Sequence, residues 1–125
     1  MQSHDGVIAL LPALPSAWKN GSIKGIKARG NFTLSINWND GKLSRAKIVS
    51  VNGCNCRVSS LLPVKVLEVR SRPAEDFNQN ELNTVYGEPP YQKSEKAKLV
   101  ELNIPKRYTI DFATKKGKTY TIVPL

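Results

Sequence analysis

The side chains that could support catalysis are few and scattered along this chain of 125 residues. Hydrolysis by paired carboxyl groups needs two of them held across the scissile bond, one as the acid and the other as the base or nucleophile. The ten acidic residues are mostly isolated, and the adjacent pair Glu75-Asp76 lies in a stretch with no regular pattern. A serine nucleophile would need a histidine base, and the single histidine, His4, stands near the terminus. We therefore predict no catalytic residue and no autonomous enzyme.

Two cysteines, Cys54 and Cys56, are separated only by Asn55. Alternate residues of a strand point the same way with Cα atoms roughly 6.5 Å apart, which is near the limit for a disulfide and poor in direction. A metal site would need more ligands than these thiols and His4 supply. We interpret the pair as two small buried thiols, with a strained disulfide or a redox role as the alternative. No metal or cofactor site is predicted, and no glycine-rich phosphate loop is present.

The formal charge of +9 suggests a nucleic-acid partner at first sight. The basic residues are spread along the chain, however, and their densest group, Lys115-Lys116-Gly117-Lys118, falls between two strand-like runs where a solvated hairpin tip is expected. No RNA-binding aromatic motif, helix-turn-helix pattern or zinc-finger spacing accompanies them. The sequence thus favours a solvated basic surface over nucleic-acid binding.

No membrane segment is predicted either. The longest apolar candidate, Val7 to Leu14, is interrupted by Pro12 and is far shorter than a bilayer span. Met1-Gln2-Ser3-His4-Asp5 offers no basic n-region or cleavage pattern of a signal peptide.

Apolar and polar residues alternate strictly from Phe32 to Asn39, which predicts a half-buried strand. Its apolar residues are expected to be buried on one face, and they are Phe32, Leu34, Ile36 and Trp38. Asn39-Asp40-Gly41-Lys42 predicts a type I′ hairpin turn, because Asp-Gly tolerates positive φ. The returning run to Val51 changes phase, which indicates a bulge near Ser44-Arg45.

Further strands are predicted along the rest of the chain. They are Cys54 to Ser60 after an Asn52-Gly53 turn, Val64 to Val69, and the alternating sets Val100-Leu102-Ile104, Tyr108-Ile110-Phe112 and Tyr120-Ile122. With seven or eight short strands and no helical period, the sequence predicts an all-β fold, an antiparallel β-sandwich. A length of 125 residues suits one domain, so we assign residues 1–125 to a single sandwich.

Two stretches interrupt the strand pattern. Residues 1–21 carry Pro12 and Pro15 among apolar residues, and we interpret them as an extended N-terminal connector whose side chains pack against another body. Residues 71–96 are read as a long surface loop, of the kind that often carries function. Its aromatic residues Phe77, Tyr86 and Tyr91 are interpreted as pins that tie the loop to the sheet, with sugar stacking as the alternative.

Several short motifs in the first part of the chain occur together. They are Gln2-Ser3-His4, Leu10-Leu11-Pro12-Ala13-Leu14-Pro15, Trp18, Gly21-Ser22, Lys24-Gly25, Ala28-Arg29-Gly30, Trp38 and Asp40-Gly41-Lys42-Leu43. On these residues the chain closely resembles the C-terminal region of the family 95 glycoside hydrolases, the inverting α-L-fucosidases. The match is densest from Gln2 to about Arg57 and is only compositional beyond it.

The resemblance carries expectations about architecture. In that family an N-terminal β-region precedes an (α/α)6 barrel that does the chemistry, and a small β-domain follows. The resemblance implies that this chain is that last domain and that the catalytic acid and base lie upstream, in the barrel. It further implies a parent enzyme that is exported to the periplasm or outside the cell.

Two functions from different classes follow. In the first, the chain is a non-catalytic accessory domain that packs on the upstream barrel of the same polypeptide and steadies it. In the second, it is a carbohydrate-binding module with an exposed aromatic platform. Trp18 and Trp38 discriminate between them: Trp38 is expected to be buried, whereas Trp18 is expected on an exposed or interdomain face.

Overall fold

The computed structural model describes residues 1–74, 77–83, 87, 94–98 and 100–125. Its strands are β1 Gln2–His4, β2 Val7–Ala9, β3 Gly21–Ala28, β4 Phe32–Asn39, β5 Lys42–Ser50, β6 Cys54–Ser60, β7 Val64–Val66, β8 Arg72–Pro73, β9 Tyr108–Thr114 and β10 Thr119–Pro124, with a 3-10 turn at Glu81–Asn83. The first sheet has the order β1-β2-β6-β9-β8 and the second the order β3-β4-β5-β10-β7. Among the strand pairs of the described residues, only β2–β6 is parallel. The predicted all-β sandwich is confirmed. The described residues form ten strands instead of the predicted seven or eight, because several short strands are added.

The core lies between the two sheets. It takes alternate residues from each strand because successive side chains of a strand point to opposite faces. Phe32, Leu34 and Ile36 of β4 are fully buried, as predicted. Across the core, the Phe112 ring from the first sheet lies 5.6 Å from the Tyr120 ring of the second, tilted by 54°. No helix of the described residues is long and apolar enough to span a bilayer.

The β4–β5 hairpin follows the sequence prediction closely. Asp40 and Gly41 take φ values of 48° and 69°, as the predicted tight turn requires. In the ladder, Asn37 pairs with Arg45 and Trp38 with Leu43, so that Ser44 is an extra residue on β5. This is the predicted bulge.

Trp38 departs from the prediction that it is buried. It is half-buried and packs against the core from its margin. The reason is its place at the end of β4, next to the edge strand β3, where its partner in the ladder is Gly21. The indole lies against this glycine and fills the space that a side chain would need. A Cβ at Gly21 would overlap the Trp38 ring.

The predicted strand at Val100, Leu102 and Ile104 is wrong. These residues lie outside the strands, with side chains 80%, 77% and 73% exposed. The Ile104 amide donates to the Leu102 carbonyl at 2.9 Å, which closes a tight turn in place of an extended segment. Alternation predicts a strand only where a partner edge is available. The strand predicted from Val64 is present but ends at Val66.

The cysteine prediction is correct for one thiol. Cys56 is buried, and burial together with the nearby Asp111 charge raises the pKa of its thiol. Cys54 is exposed, contrary to the prediction, because its φ of 73° takes it out of the regular alternation. Both cysteines are free.

Candidate interdomain surface

The first residues belong to the sandwich itself. Strands β1 and β2 form a hairpin, and Ile8 of β2 pairs with Val58 of β6. The Leu10 amide continues this contact by donating to the Ser59 carbonyl at 2.9 Å. The segment that we read as an extended connector over residues 1–21 therefore lacks regular structure only after Leu10, and His4 lies in a strand.

Residues 18–20 are fixed to the β4–β5 turn by three hydrogen bonds. The Trp38 indole N–H donates to the Trp18 carbonyl at 2.9 Å. The Gly41 amide donates to the Lys19 carbonyl at 2.7 Å, and the Asp40 amide donates to the Asn20 side-chain oxygen at 2.9 Å. The end of the connector is thus held in one place although it forms no strand.

The Trp18 side chain is 59% exposed at this anchored position. A local turn, in which the Trp18 amide donates to the Pro15 carbonyl at 2.9 Å, fixes the backbone on its other side. Tryptophan loses little rotamer freedom on binding and is enriched among residues that dominate interfaces. The structure therefore presents a large apolar side chain on a rigid backbone.

A small apolar cavity of about 210 Å³ lies at the same turn. It shares Gly41 with the anchored segment and is lined by leucines of the connector and of the β6–β7 loop, namely Leu10, Leu11, Leu61 and Leu62, together with Leu43. Leu61 is 42% exposed, whereas Leu10 is buried. We call Leu11, Trp18, Leu61 and Leu62 the connector surface.

A buried ion pair lies on the outer face of the first sheet. Arg57 of β6 and Asp111 of β9 are paired in the ladder, and their side chains leave the first sheet on the face opposite to Cys56 and Phe112. The Arg57 Nε and Nη2 atoms each lie 2.8 Å from one Asp111 oxygen. The two residues are 7% and 1% exposed. Such two-point pairing satisfies both groups in a buried place, so Asp111 is held as a structural carboxylate.

The same arginine holds the 77–83 segment. Its Nη2 donates to the Phe77 carbonyl at 3.2 Å, while the Phe77 ring is 75% exposed. The prediction that the Phe77 ring pins the loop is therefore wrong. Glu75, Asp76, Tyr86 and Tyr91 lie outside the described residues.

Asparagines fasten this segment in place of aromatic rings. Asn78 Nδ2 donates to the Gly6 carbonyl at 2.6 Å, and Asn55 Nδ2 donates to Asn78 Oδ1 at 3.1 Å. Asn80 Nδ2 donates to the Asn55 carbonyl at 3.0 Å. Asn78 and Asn80 also accept from backbone amides two residues ahead. The Asn78-Gln79-Asn80 run, with its capacity for such local turns, was the available sequence signal.

Candidate catalytic groups are not brought together among the described residues. His4 Nδ1 lies 2.6 Å from Asp5 Oδ2 in an exposed pair beside a shallow cleft of about 310 Å³. That cleft is otherwise lined by neutral residues and Arg107. Within the described ranges, no three His, Cys, Asp or Glu residues are grouped as metal ligands would be. The geometry thus offers an apolar docking surface more readily than a reaction centre.

Comparison with known proteins identifies the family. Residues 2–88 match the family model described as the C-terminal domain of glycoside hydrolase family 95. The chain is also 37% identical over 75 residues to alpha-L-fucosidase 2 of Arabidopsis thaliana, an alignment that covers 53% of this chain and 9% of that protein. Strands β9 and β10 come after the matched residues in the sequence. Strand β9 pairs with β6 of the first sheet, and β10 pairs with β5 of the second. The chain belongs to the family of glycoside hydrolase family 95 C-terminal domains.

Proposed function

We propose that this chain is the non-catalytic accessory domain of an α-L-fucosidase and that it docks through the connector surface on the catalytic barrel upstream in the same polypeptide. The observation that carries the proposal is the anchored yet exposed Trp18. Its carbonyl is bound by Trp38, its neighbour Lys19 is bound by Gly41, and its side chain remains 59% exposed.

The energetics favour docking at this place. Exposed apolar patches on soluble domains mark interaction sites. Binding costs free energy for each loop that must be ordered, and a backbone already held by hydrogen bonds avoids most of that cost. Two of its residues, Leu11 and Trp18, belong to the N-terminal part of the chain, which an upstream domain would precede.

The chemistry is assigned to the barrel. The carboxylate that the sandwich buries, Asp111, is engaged at both oxygens by Arg57. A general acid needs a proton that it can give to the leaving group, and a general base needs a free lone pair. We therefore assign fucoside hydrolysis to the catalytic acid and base of the upstream barrel and a supporting role to this chain.

The carbohydrate-binding alternative would need a row of exposed rings. Among the described aromatic residues, Trp18 is anchored to the second sheet at the β4–β5 turn, whereas Phe77 is held against Arg57 of the first sheet. The third exposed ring, Tyr108 at the start of β9, belongs to the first sheet and has Lys106 Nζ 5.4 Å from its centroid. Rings divided between the two sheets in this way do not form the flat platform that stacks on successive sugars. The aromatic platform therefore has no specific observation in its favour.

Titration of the chain with a separately produced catalytic barrel of its parent polypeptide tests the proposal. Calorimetry should show binding with a negative heat-capacity change, the sign of apolar burial. Trp18→Ala should weaken this binding at least about tenfold, as loss of a central interface aromatic does. Phe77→Ala is the matched control, since it removes another exposed ring, and it should leave the affinity unchanged. Absence of binding, or equal loss in both variants, would overturn the proposal.

A further inference from the structure

The outer face of the second sheet is strongly basic. Core residues alternate with outward residues on β3, β4, β5, β10 and β7, and the ladder shows which outward residues are neighbours. The cations on this face include Lys24, Lys27, Arg45, Lys47 and Lys65, and the residues between them include Ser22, Thr33, Ser35, Asn37, Val49, Thr119, Thr121 and Val123. We call this set the basic face. Cations that are scattered in the sequence are thus gathered by the sheet.

The basic face has an ordered central row. Lys24 pairs with Ser35, Ser35 with Lys47, and Lys47 with Thr121, so that charged and hydroxyl side chains alternate across four strands. Adjacent strands lie about 4.8 Å apart, which places the Lys24 and Lys47 backbones about 10 Å apart. On one flank, Lys27 Nζ donates to Thr33 Oγ1 at 2.7 Å, which shows that hydroxyls and ammonium groups here are within reach of one another.

The cations of the basic face are exposed and are not neutralised by the described part of the chain. The ion pairs found there join His4 with Asp5 and Arg57 with Asp111, away from this face. The Glu68 carboxylate, which follows β7, accepts from the Thr121 amide at 2.7 Å. Five like charges on one face repel one another in the free domain. An anionic partner would relieve that repulsion.

We propose that the basic face binds a polyuronate, an acidic polysaccharide whose sugars carry carboxylates, with the glycan lying across the strands. In an extended polyuronate the carboxylates on one side recur at every second sugar. That repeat suits cations separated by two strands. Ser35, between Lys24 and Lys47, and Thr121, on the other side of Lys47, are placed to bind sugar hydroxyls. The contact is electrostatic and hydrogen-bonded and needs no aromatic platform.

The same features disfavour nucleic acid. Proteins that bind single strands stack bases on aromatic side chains, and the outward positions of these five strands carry no aromatic residue. Duplex DNA presents about one phosphate per 1.7 Å of axis, which is far denser than cations spaced at about 10 Å. A glycan with separated carboxylates and many hydroxyls matches the surface better.

Glycan binding at the basic face does not depend on docking at the connector surface. Trp38, which binds the Trp18 carbonyl, follows the core-facing phase of β4, whereas the basic face is the opposite side of the same sheet. The chain could therefore bind a barrel at the connector surface and a glycan at the basic face together, and each contact can fail without the other.

Affinity electrophoresis and calorimetry with polygalacturonate test the proposal. The chain should be retarded by polygalacturonate, the retardation should fall as salt is raised, and the fully methyl-esterified polymer should not retard it. Lys24→Thr combined with Lys47→Thr should weaken binding at least tenfold. The matched control, Lys115→Thr combined with Lys116→Thr, removes the same charge from the exposed β9–β10 turn and should change binding less than twofold.

Each other outcome overturns the proposal. Equal loss in both double variants would mean that net charge alone binds the polymer. Tighter binding to single-stranded DNA or to a sulfated glycan would assign the face to another polyanion. Unfolding curves check that the variants are folded, and Lys27→Thr combined with Lys65→Thr gives a second variant of the face. If that variant also binds like the wild type, the basic face is not the site.

Discussion

The outer faces of the two sheets differ in whether their charged side chains are buried or exposed. On the first sheet, Arg57 and Asp111 are buried as a pair under the 77–83 segment. On the second, Lys24 and Lys47 stand in solvent with hydroxyl neighbours. Both faces carry charged residues at alternate strand positions. The cover supplied by another part of the chain therefore decides whether a charged strand residue stabilises the fold or remains available for a partner.

Substitution of the buried ion pair should change the free energy of unfolding more than any other change considered for these two faces. Arg57→Ala should lower the free energy of unfolding by about 3–5 kcal/mol, because it leaves the Asp111 charge buried without its partner. Lys47→Ala on the open face should change it by less than about 0.5 kcal/mol. Urea unfolding of both variants measures the difference. Equal values would remove the distinction between the covered and the open face.

Loss of an asparagine that fastens the cover should have a smaller effect. Asn80→Ala removes the donor to the Asn55 carbonyl and the acceptor of the Leu82 amide. We expect a loss of about 1–3 kcal/mol, the usual cost of leaving buried partners unpaired. Gln79→Ala, next to it and exposed, is the control and should be near neutral. If the two variants unfold at the same urea concentration, the asparagines do not hold the segment.

The margin of the second sheet provides a packing test. Gly21→Ala should cost about 1–3 kcal/mol, since the new methyl group meets the Trp38 ring. In a Trp38→Ala background the same substitution should be nearly neutral. The double-mutant cycle measures this coupling. Independent, additive effects would show that the indole does not rest on Gly21.

The smallest expected effect concerns pH. Burial tends to raise the pKa of Glu68, but the hydrogen bonds from Thr121 outweigh it, and the pKa of this carboxyl is lowered from its ordinary value. The folded state therefore gains stability from the ionised group above the ordinary glutamate pKa and loses it as pH falls through the lowered one. Because the group is largely exposed, the gain is small. Unfolding measured from pH 6 to pH 3 should show a slightly shallower decline in Glu68→Gln; an identical pH profile would contradict the assignment.

Much of the open sheet could be predicted from the sequence. The alternation of β4 and the Asp40-Gly41 turn are local signals, and both the turn and the bulge at Ser44 are confirmed. The family was also recognisable, because its short motifs lie in the first part of the chain. Strand alternation and turns depend on residues that are neighbours in the sequence, so they can be predicted from a single sequence.

The covered face could not be predicted for the opposite reason. Arg57 and Asp111 are 54 positions apart, and their pairing depends on the register of β6 with β9. Charged residues in strands are ordinarily solvent-facing, so nothing local marks them as buried. The basic face was missed in the same way, since its cations look scattered until the strands are aligned. The alternation at Val100, Leu102 and Ile104 misled because an alternating run still needs an edge to pair with.

We propose that the anchored Trp18 is the point at which this domain docks on the catalytic barrel. The chain has two tryptophans, so the uniformly ¹⁵N-labelled protein gives two indole N–H signals, which Trp18→Phe assigns, together with the backbone N–H signals. Unlabelled catalytic barrel is then added while both signals are followed by NMR. We predict that the exposed Trp18 signal shifts or broadens as the barrel is added, and that a saturating change is reached. A Trp18 signal that stays fixed while the backbone signals of other surfaces move would contradict the claim.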